Sequence, residues 1–153
     1  MEQDSTGRKV AIFKESRMLE AEVIIDVPFH DVDMMGVVWH GHYVRYMEIA
    51  RCALLDKIDY NYDQMKLSGY VWPVIDMRIR YAHPLHFQQK IIVKVVLAEW
   101  ENRLKMTYLF EDADTGKRLT KAYSVQVAVD IEKSEMLFAS PGIIYQKLGL
   151  SNE

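Results

Sequence analysis

A chain of 153 residues with a net charge of -3, half of it hydrophobic, can build one buried core of ordinary domain size without covalent staples. The near-balanced charge excludes a sustained nucleic-acid footprint, which needs clustered cations against phosphates. A single cysteine, Cys52, excludes an intrachain disulfide and fits a reducing compartment. The opening MEQDSTGRKV lacks a secretory apolar run, and the longest apolar run, Ile91 to Ala98, is broken by Lys94 and too short to span a bilayer. The expectation is a cytoplasmic single domain over 1–153, with residues 1–9 as a loose tail and neither membrane nor nucleic acid as partner.

The first element is a strand. In LEAEVIIDV, Leu19, Ala21, Val23, Ile25 and Val27 alternate with Glu20, Glu22 and Asp26, and Pro28 ends the run. The period then changes. In HYVRYMEIARCALLDKI, Tyr43, Tyr46, Met47, Ala50, Ala53, Leu54 and Ile58 recur at spacings of three and four, which predicts an amphipathic helix of about four turns. Arg45, Glu48, Arg51 and Asp56 fall largely between them, and Glu48 and Arg51 can pair. NYDQMKLSGY reads as a short helix or loop stopped at Gly69.

Four more strands follow. PVIDMRIRYA sets Ile75, Met77, Ile79 and Tyr81 against Asp76, Arg78 and Arg80. KIIVKVVLAEW places Ile91, Val93, Val95 and Leu97 on one face, and RLKMTYLFED does the same with Leu104, Met106, Tyr108 and Phe110. RLTKAYSVQVAVD sets Leu119, Tyr123, Val125, Val127 and Val129 against Thr120, Ser124, Gln126 and Asp130. ENR and DADTGK are hairpin-sized links, and Pro141 and Gly142 precede a short C-terminal helix. Three hairpin-like links in a row predict an antiparallel sheet. The fold class is α+β, about five strands wrapped around one long helix in the order β-α-β-β-β-β. One helix cannot cover such a sheet, so self-association is expected.

The chemistry concentrates in HDVDMMGVVWHGHYVRYMEIAR, residues 30–51. Asp33 lies between strand and helix, where a carboxylate can act as nucleophile or general base on an acyl group. The helix start offers unpaired N–H groups that polarise a carbonyl and hold its oxyanion. Met34, Met35, Val37, Val38 and Trp39 form an apolar wall expected to dry the site and raise the acid. The competing reading is that Asp33 only makes an Asx turn or caps the helix. His40 is placed to orient substrate or water. His30, His40 and His42 with Asp31 and Asp33 are metal-ligating types, but no E-x-x-H or C-x-x-C accompanies them, and neither metal nor cofactor is expected. Cys52 reads as packing, and no G-x-S-x-G is present. Thr115 to Arg118 lacks the upstream glycine of a phosphate-binding loop, and His83 and His86 read as loop residues. Arg103 and Lys105 read as a solvated strand face, or alternatively as contacts to an anionic group.

The segment DVDMMGVVWHGHYVRYMEIAR resembles the signature of the hotdog-fold acyl-CoA thioesterases of the 4-hydroxybenzoyl-CoA thioesterase family: D-x-D-x-x-G-V-V-[YW]-[HY]-x-N-Y, an aromatic, then E-x-A-R. Asp31, Asp33, Gly36, Val37, Val38, Trp39, His40, Tyr43, Tyr46, Glu48, Ala50 and Arg51 match, and IRYAHPLHFQQKIIV resembles the Y-x-x-P-x-x-F stretch downstream. The resemblance covers about Glu22 to Ser140 and implies hydrolysis of an acyl thioester, on CoA or on a carrier protein. It assigns the catalytic carboxylate to Asp33. It aims the backbone N–H of His40 at the thioester carbonyl, with the imidazole assisting. It implies a homodimer or homotetramer with sites at the subunit interface. Two departures stand out: His42 replaces the usual asparagine, and EWENR leaves only Arg103 where some relatives carry a basic cluster for the CoA phosphates.

Val38, Trp39, Gly41, Tyr43, Trp72 and Pro73, with Arg103 for the phosphates, are the expected substrate-binding residues. Two tryptophans and a tyrosine suit an aryl, polyene-like or medium acyl chain, and SGYVWPVIDMRIRY resembles thioesterases of aryl-polyene-type lipid synthesis. Two alternatives remain open, a carrier-linked hydroxyacyl dehydratase and a non-catalytic acyl-thioester-binding protein.

Overall fold

A computed structural model of the chain describes residues 19–150, so the expected tail over 1–9 lies outside the described residues. β1 (Glu20–Asp26) is followed by a single 3-10 turn at Phe29–Asp31 and a second at His40–His42. The second turn runs directly into α1 (Tyr43–Lys57). α2 (Tyr62–Leu67) is closed by a capping box in which Asn61 accepts from the helix backbone and Gln64 reaches back to the Asn61 N–H. Then come β2 (Tyr70–Val71), β3 (Val74–Arg80), β4 (Lys90–Glu99), β5 (Leu104–Asp112), β6 (Arg118–Gln126), β7 (Val129–Asp130), β8 (Glu135–Met136) and α3 (Gly142–Lys147).

The main sheet runs β1-β4-β5-β6-β3 and is antiparallel throughout. Its register lines up Val93 with Phe110, Val95 with Tyr108 and Leu97 with Met106, making one continuous apolar face. Against that face α1 lays Tyr46, Met47, Ala50, Leu54 and Leu55, all fully buried. Met47, Leu54 and Leu55 each contribute about 1.5–3 kcal/mol of apolar burial. This is the expected α+β arrangement, one long helix held by an antiparallel sheet.

Four details depart from the sequence expectation. The link from β3 to β4 is not a hairpin: β3 pairs with β6 at one edge, while β4 lies beside β1, so residues 81–89 cross from edge to interior. The two faces of β6 are not divided as alternation predicts. Thr120, Ser124 and Gln126 are buried and stand opposite Phe110, Met106 and Leu104, on the helix side, while half-buried Tyr123 faces outward. Hydrogen bonds make part of this tolerable: Ser124 Oγ lies 2.8 Å from Tyr108 Oη, and Gln126 Nε2 donates to the Trp72 carbonyl at 2.6 Å. Arg51, expected among the polar positions of α1, is buried, because Glu48 one turn back and Tyr62 on α2 supply its partners. A three-stranded sheet, β2-β7-β8, lies beyond what the pattern predicted.

Candidate active site

The loop between β1 and α1 is built as a tight, braced excursion. Val32 bridges Val38, and between them the Asp33 N–H donates to the Val37 carbonyl at 2.8 Å and the Gly36 N–H to the Asp33 carbonyl at 3.0 Å. Gly36 closes this turn at φ +79°, a conformation that costs a side-chain-bearing residue strain. Residues 82–89 brace it from behind. The Val38 N–H donates to Leu85 O at 2.8 Å and the Phe87 N–H to Gly36 O at 3.2 Å, and Val37 bridges His86. The stretch IRYAHPLHF is therefore a buttress for the loop, and its Leu85 is fully buried.

The structure shows Asp33 in the turn of the competing reading. Its Oδ1 accepts the Met35 N–H at 2.8 Å and the Val37 N–H at 3.4 Å, an Asx-type turn, and no hydrogen bond reaches its Oδ2 among the described residues. The carboxylate is thus oriented through one oxygen with the other presented outward. The expected dry wall does not form within this chain: Met34 is 102% and Met35 84% exposed, Trp39 is half exposed, and Asp33 is open to solvent. The loop's apolar side chains sit at its tip, beyond reach of this chain's own core, and only Val38 is buried.

Asp31, two residues earlier, is the buried carboxylate. Tyr46 donates to its Oδ2 at 2.5 Å and Arg45 Nη2 to its Oδ1 at 2.5 Å, both from the first turn of α1. Burial alone would raise its carboxyl. The hydrogen bonds from Arg45 and Tyr46, with the nearby charges of Arg45 and His42, outweigh that and hold it below the usual carboxylate range. The same carboxylate pushes the Tyr46 phenol, already raised by burial, far up. Asp31 also receives the Trp39 N–H on its backbone carbonyl at 3.0 Å. It is the strut that ties loop to helix, and the D-x-D spacing was its sequence signal.

In the turn His40–His42, the His42 N–H donates to Trp39 O at 2.9 Å, while the N–H groups of His40 and Gly41 have no acceptor among the described residues. The Trp39 indole covers Gly41 so closely that a Cβ there would meet its Cζ3 at 2.2 Å. That ring also lies 5.0 Å from the His40 ring and 5.3 Å from the His42 ring. The Tyr81 hydroxyl donates to the His40 carbonyl at 3.1 Å, fixing the turn from the residue after β3. His42, which replaces the asparagine of the motif, makes no side-chain cap bond to α1. Its Nδ1 instead lies 3.4 Å from Arg45 Nη2, beside Asp31.

The remaining expected residues lie elsewhere. Tyr43 is buried between Tyr81 and Phe110, with ring centroids 4.7 and 5.6 Å away, and burial raises its phenol. Trp72 is buried past the far end of α1, where its Nε1 donates to the Tyr60 hydroxyl at 3.1 Å, and Pro73 beside it is exposed. Arg103 forms a two-pronged pair with Glu99 across the β4–β5 hairpin at 2.9 and 3.2 Å. Within one chain these three are not brought to Asp33.

A family model described as the Thioesterase-like superfamily matches residues 27–146. The chain belongs to that superfamily. A Bacillus subtilis (strain 168) protein named "Putative acyl-CoA thioesterase YneP" is 32% identical over 109 residues, 71% of this chain and 78% of that one. Among solved structures, the hypothetical protein TT1821 from Thermus thermophilus superposes with a TM-score of 0.73 at 27% identity, over 84% of this chain and 97% of that one. DHNA-CoA thioesterase from Staphylococcus aureus superposes with a TM-score of 0.71 at 22% identity, over 79% and 81%, a likeness of fold. Within this thioesterase-like superfamily the β1–α1 loop and the start of α1 both fall inside the matched segment.

Proposed function

We propose that the chain hydrolyses acyl-CoA thioesters at the start of α1. The observation that carries this reading is that one loop and the turn after it hold a carboxylate oriented through Oδ1 and two N–H groups, at His40 and Gly41, without an acceptor among the described residues. In the reaction the thioester carbonyl oxygen takes the two N–H groups, which lower the barrier as negative charge develops on it. Asp33 either attacks the carbonyl carbon, giving an acyl-aspartyl anhydride that water then opens, or removes a proton from the water that attacks. In both routes water supplies OH to the acyl group and a proton to the departing thiolate, so the products are a free acid and a free thiol. The His40 imidazole assists from the same turn. Val38, Trp39 and Tyr43 shape the acyl pocket.

The working unit is a homodimer or a homotetramer. β3 is an edge strand with exposed Val74 and Ile75, and edges of this kind are paired in stable assemblies. An antiparallel β3–β3 contact sets the Pro73 end of one strand beside the Arg80 end of the other. That brings Trp72, Pro73 and Arg103 of one subunit towards the site of its mate and covers Met34 and Met35. No helix among the described residues is long and apolar enough to cross a membrane, and the reading places the enzyme in the cytoplasm. The carrier is CoA or a carrier protein. The test is thiol release from aryl-, short-, medium- and long-chain acyl-CoAs and from an acyl-carrier protein. Turnover of at least one is expected, and saturable acyl-CoA binding without release of thiol from any would instead make this a binding protein.

A further inference from the structure

The face of the main sheet turned away from α1 carries an open groove of about 570 Å³. Its charges are matched on one side and unmatched on the other. Towards β1, Lys94 pairs with Glu111 at 3.0 Å and feels Glu20 and Glu22. Towards β3, Arg80 stands directly opposite Lys121, and Arg78, two residues along on the same face, stands opposite Tyr123. Lys105 Nζ lies 4.8 Å above the Tyr123 ring, and Arg118 completes the rim. No carboxylate forms an ion pair with Arg78, Arg80, Arg118 or Lys121 among the described residues. The nearby Asp76 accepts a hydrogen bond from the Tyr123 hydroxyl at 3.3 Å.

Like charges directly opposite on one sheet face cost stability. The cluster does not follow from a general excess of cations either, because the chain carries a net charge of -3. A groove of this size lies within the range of small-molecule sites, and guanidinium forks beside an ammonium match phosphate oxygens. Arg80, on the groove rim, is followed directly by Tyr81, whose hydroxyl donates to the His40 carbonyl from the other side of the sheet. The hairpin after Trp100, by contrast, has its one arginine committed to Glu99.

We propose that this groove binds a nucleotide carrying two or more phosphates, with Arg78, Arg80 and Lys121 as the phosphate ligands and the Tyr123 ring as a stacking surface. Two sources share that chemistry, the nucleotide end of CoA and a free nucleotide effector. Only the first rests on the thioesterase reading.

The experiment is calorimetric titration of the purified full chain with adenosine 3′,5′-bisphosphate, CoA and AMP, on wild type, Arg78→Ala and Lys121→Ala. Circular dichroism confirms that these exposed substitutions leave the fold intact. Saturable binding of the bisphosphate is expected, tighter than that of AMP, weakened by salt, and reduced roughly tenfold or more by each substitution. A kinetic arm separates the sources. If CoA's own nucleotide is the ligand, Arg78→Ala raises KM for acyl-CoA with kcat unchanged and leaves the KM of the matching acyl-pantetheine as it was. If a free nucleotide is the ligand, bisphosphate binding is lost in the variants while KM for acyl-CoA does not move. The proposal is overturned if no nucleotide binds saturably up to millimolar concentration, or if both variants bind as wild type does. Binding needs no turnover, so a chain that hydrolysed nothing would leave this test intact.

Discussion

Replacing Asp31 by asparagine removes a buried charge that two donors have been arranged to meet. Tyr46, fully buried, donates to Oδ2 and Arg45 to Oδ1, each at 2.5 Å. An amide can accept only through its oxygen, so one donor must face an NH2 group. A hydrogen bond to a charged group is worth about 1.5–3 kcal/mol, and the Tyr46 bond, shielded from water, belongs in that range. Arg45 is 46% exposed, so solvent screens its share, which is worth about 0.3–1 kcal/mol. Asp31→Asn should therefore cost about 2–3 kcal/mol at pH 7. The sign of the pH dependence follows from the lowered folded-state carboxyl. Such a group stabilises fully above the unfolded aspartate value, about 3.9, and loses that contribution as pH falls through its own lower folded value. Urea unfolding of wild type and variant between pH 7 and pH 3 reads both quantities, with the gap closing at the acid end. A gap under about 0.5 kcal/mol at pH 7, or one that stays constant to pH 3, would refute the strut assigned to Asp31.

Three other substitutions probe separate parts of the account. Ser124→Ala strands the Tyr108 hydroxyl, whose one other hydrogen bond among the described residues is to Met106 Sδ at 3.8 Å, and should cost about 1–3 kcal/mol in urea unfolding. Glu48→Gln leaves the buried Arg51 guanidinium without its counter-charge. Loss of one partner of a buried pair costs about 3–5 kcal/mol, and partial exposure of Glu48 places this case near the lower end. The same change should bring the Tyr62 phenol down from about 12, read by ultraviolet titration, because burial and the hydrogen bond it donates to the Glu48 carboxylate together raise it and the substitution removes the second. Gly41→Ala drives a methyl into the Trp39 ring and so shifts the indole away from the turn, lowering kcat/KM about tenfold or more while thermal stability changes little.

Much of this was legible in the chain because two periodicities do not overlap. β4 and β5 alternate cleanly since one face meets α1 and the other water, and α1 shows its stripe for the same reason. β6 was misread because it is buried on both faces over much of its length, so alternation no longer separates inside from outside. Arg51 was misread because its partners come from one turn back and from α2, and pairing across elements leaves no local signature. The Asp33 loop was readable as a turn, from Asp33 and Gly36, and as a helix start. Its solvation was not readable, because residue type alone does not say that Met34 and Met35 point away from the chain's own core. Asp31 carried the D-x-D pattern, but that its carboxylate is the buried one depends on Arg45 and Tyr46, fourteen and fifteen residues away.

The central claim is that Asp33 performs the chemistry while the N–H groups of His40 and Gly41 hold the oxyanion. The most direct measurement is single-turnover thiol release by wild type and Asp33→Asn on the best acyl-CoA of the panel, with binding of a non-hydrolysable analogue measured alongside. The asparagine oxygen can still accept the Met35 N–H, so the turn and the analogue affinity should persist while the rate falls at least about a hundredfold. An unchanged rate would contradict the assignment of Asp33 even with the fold intact.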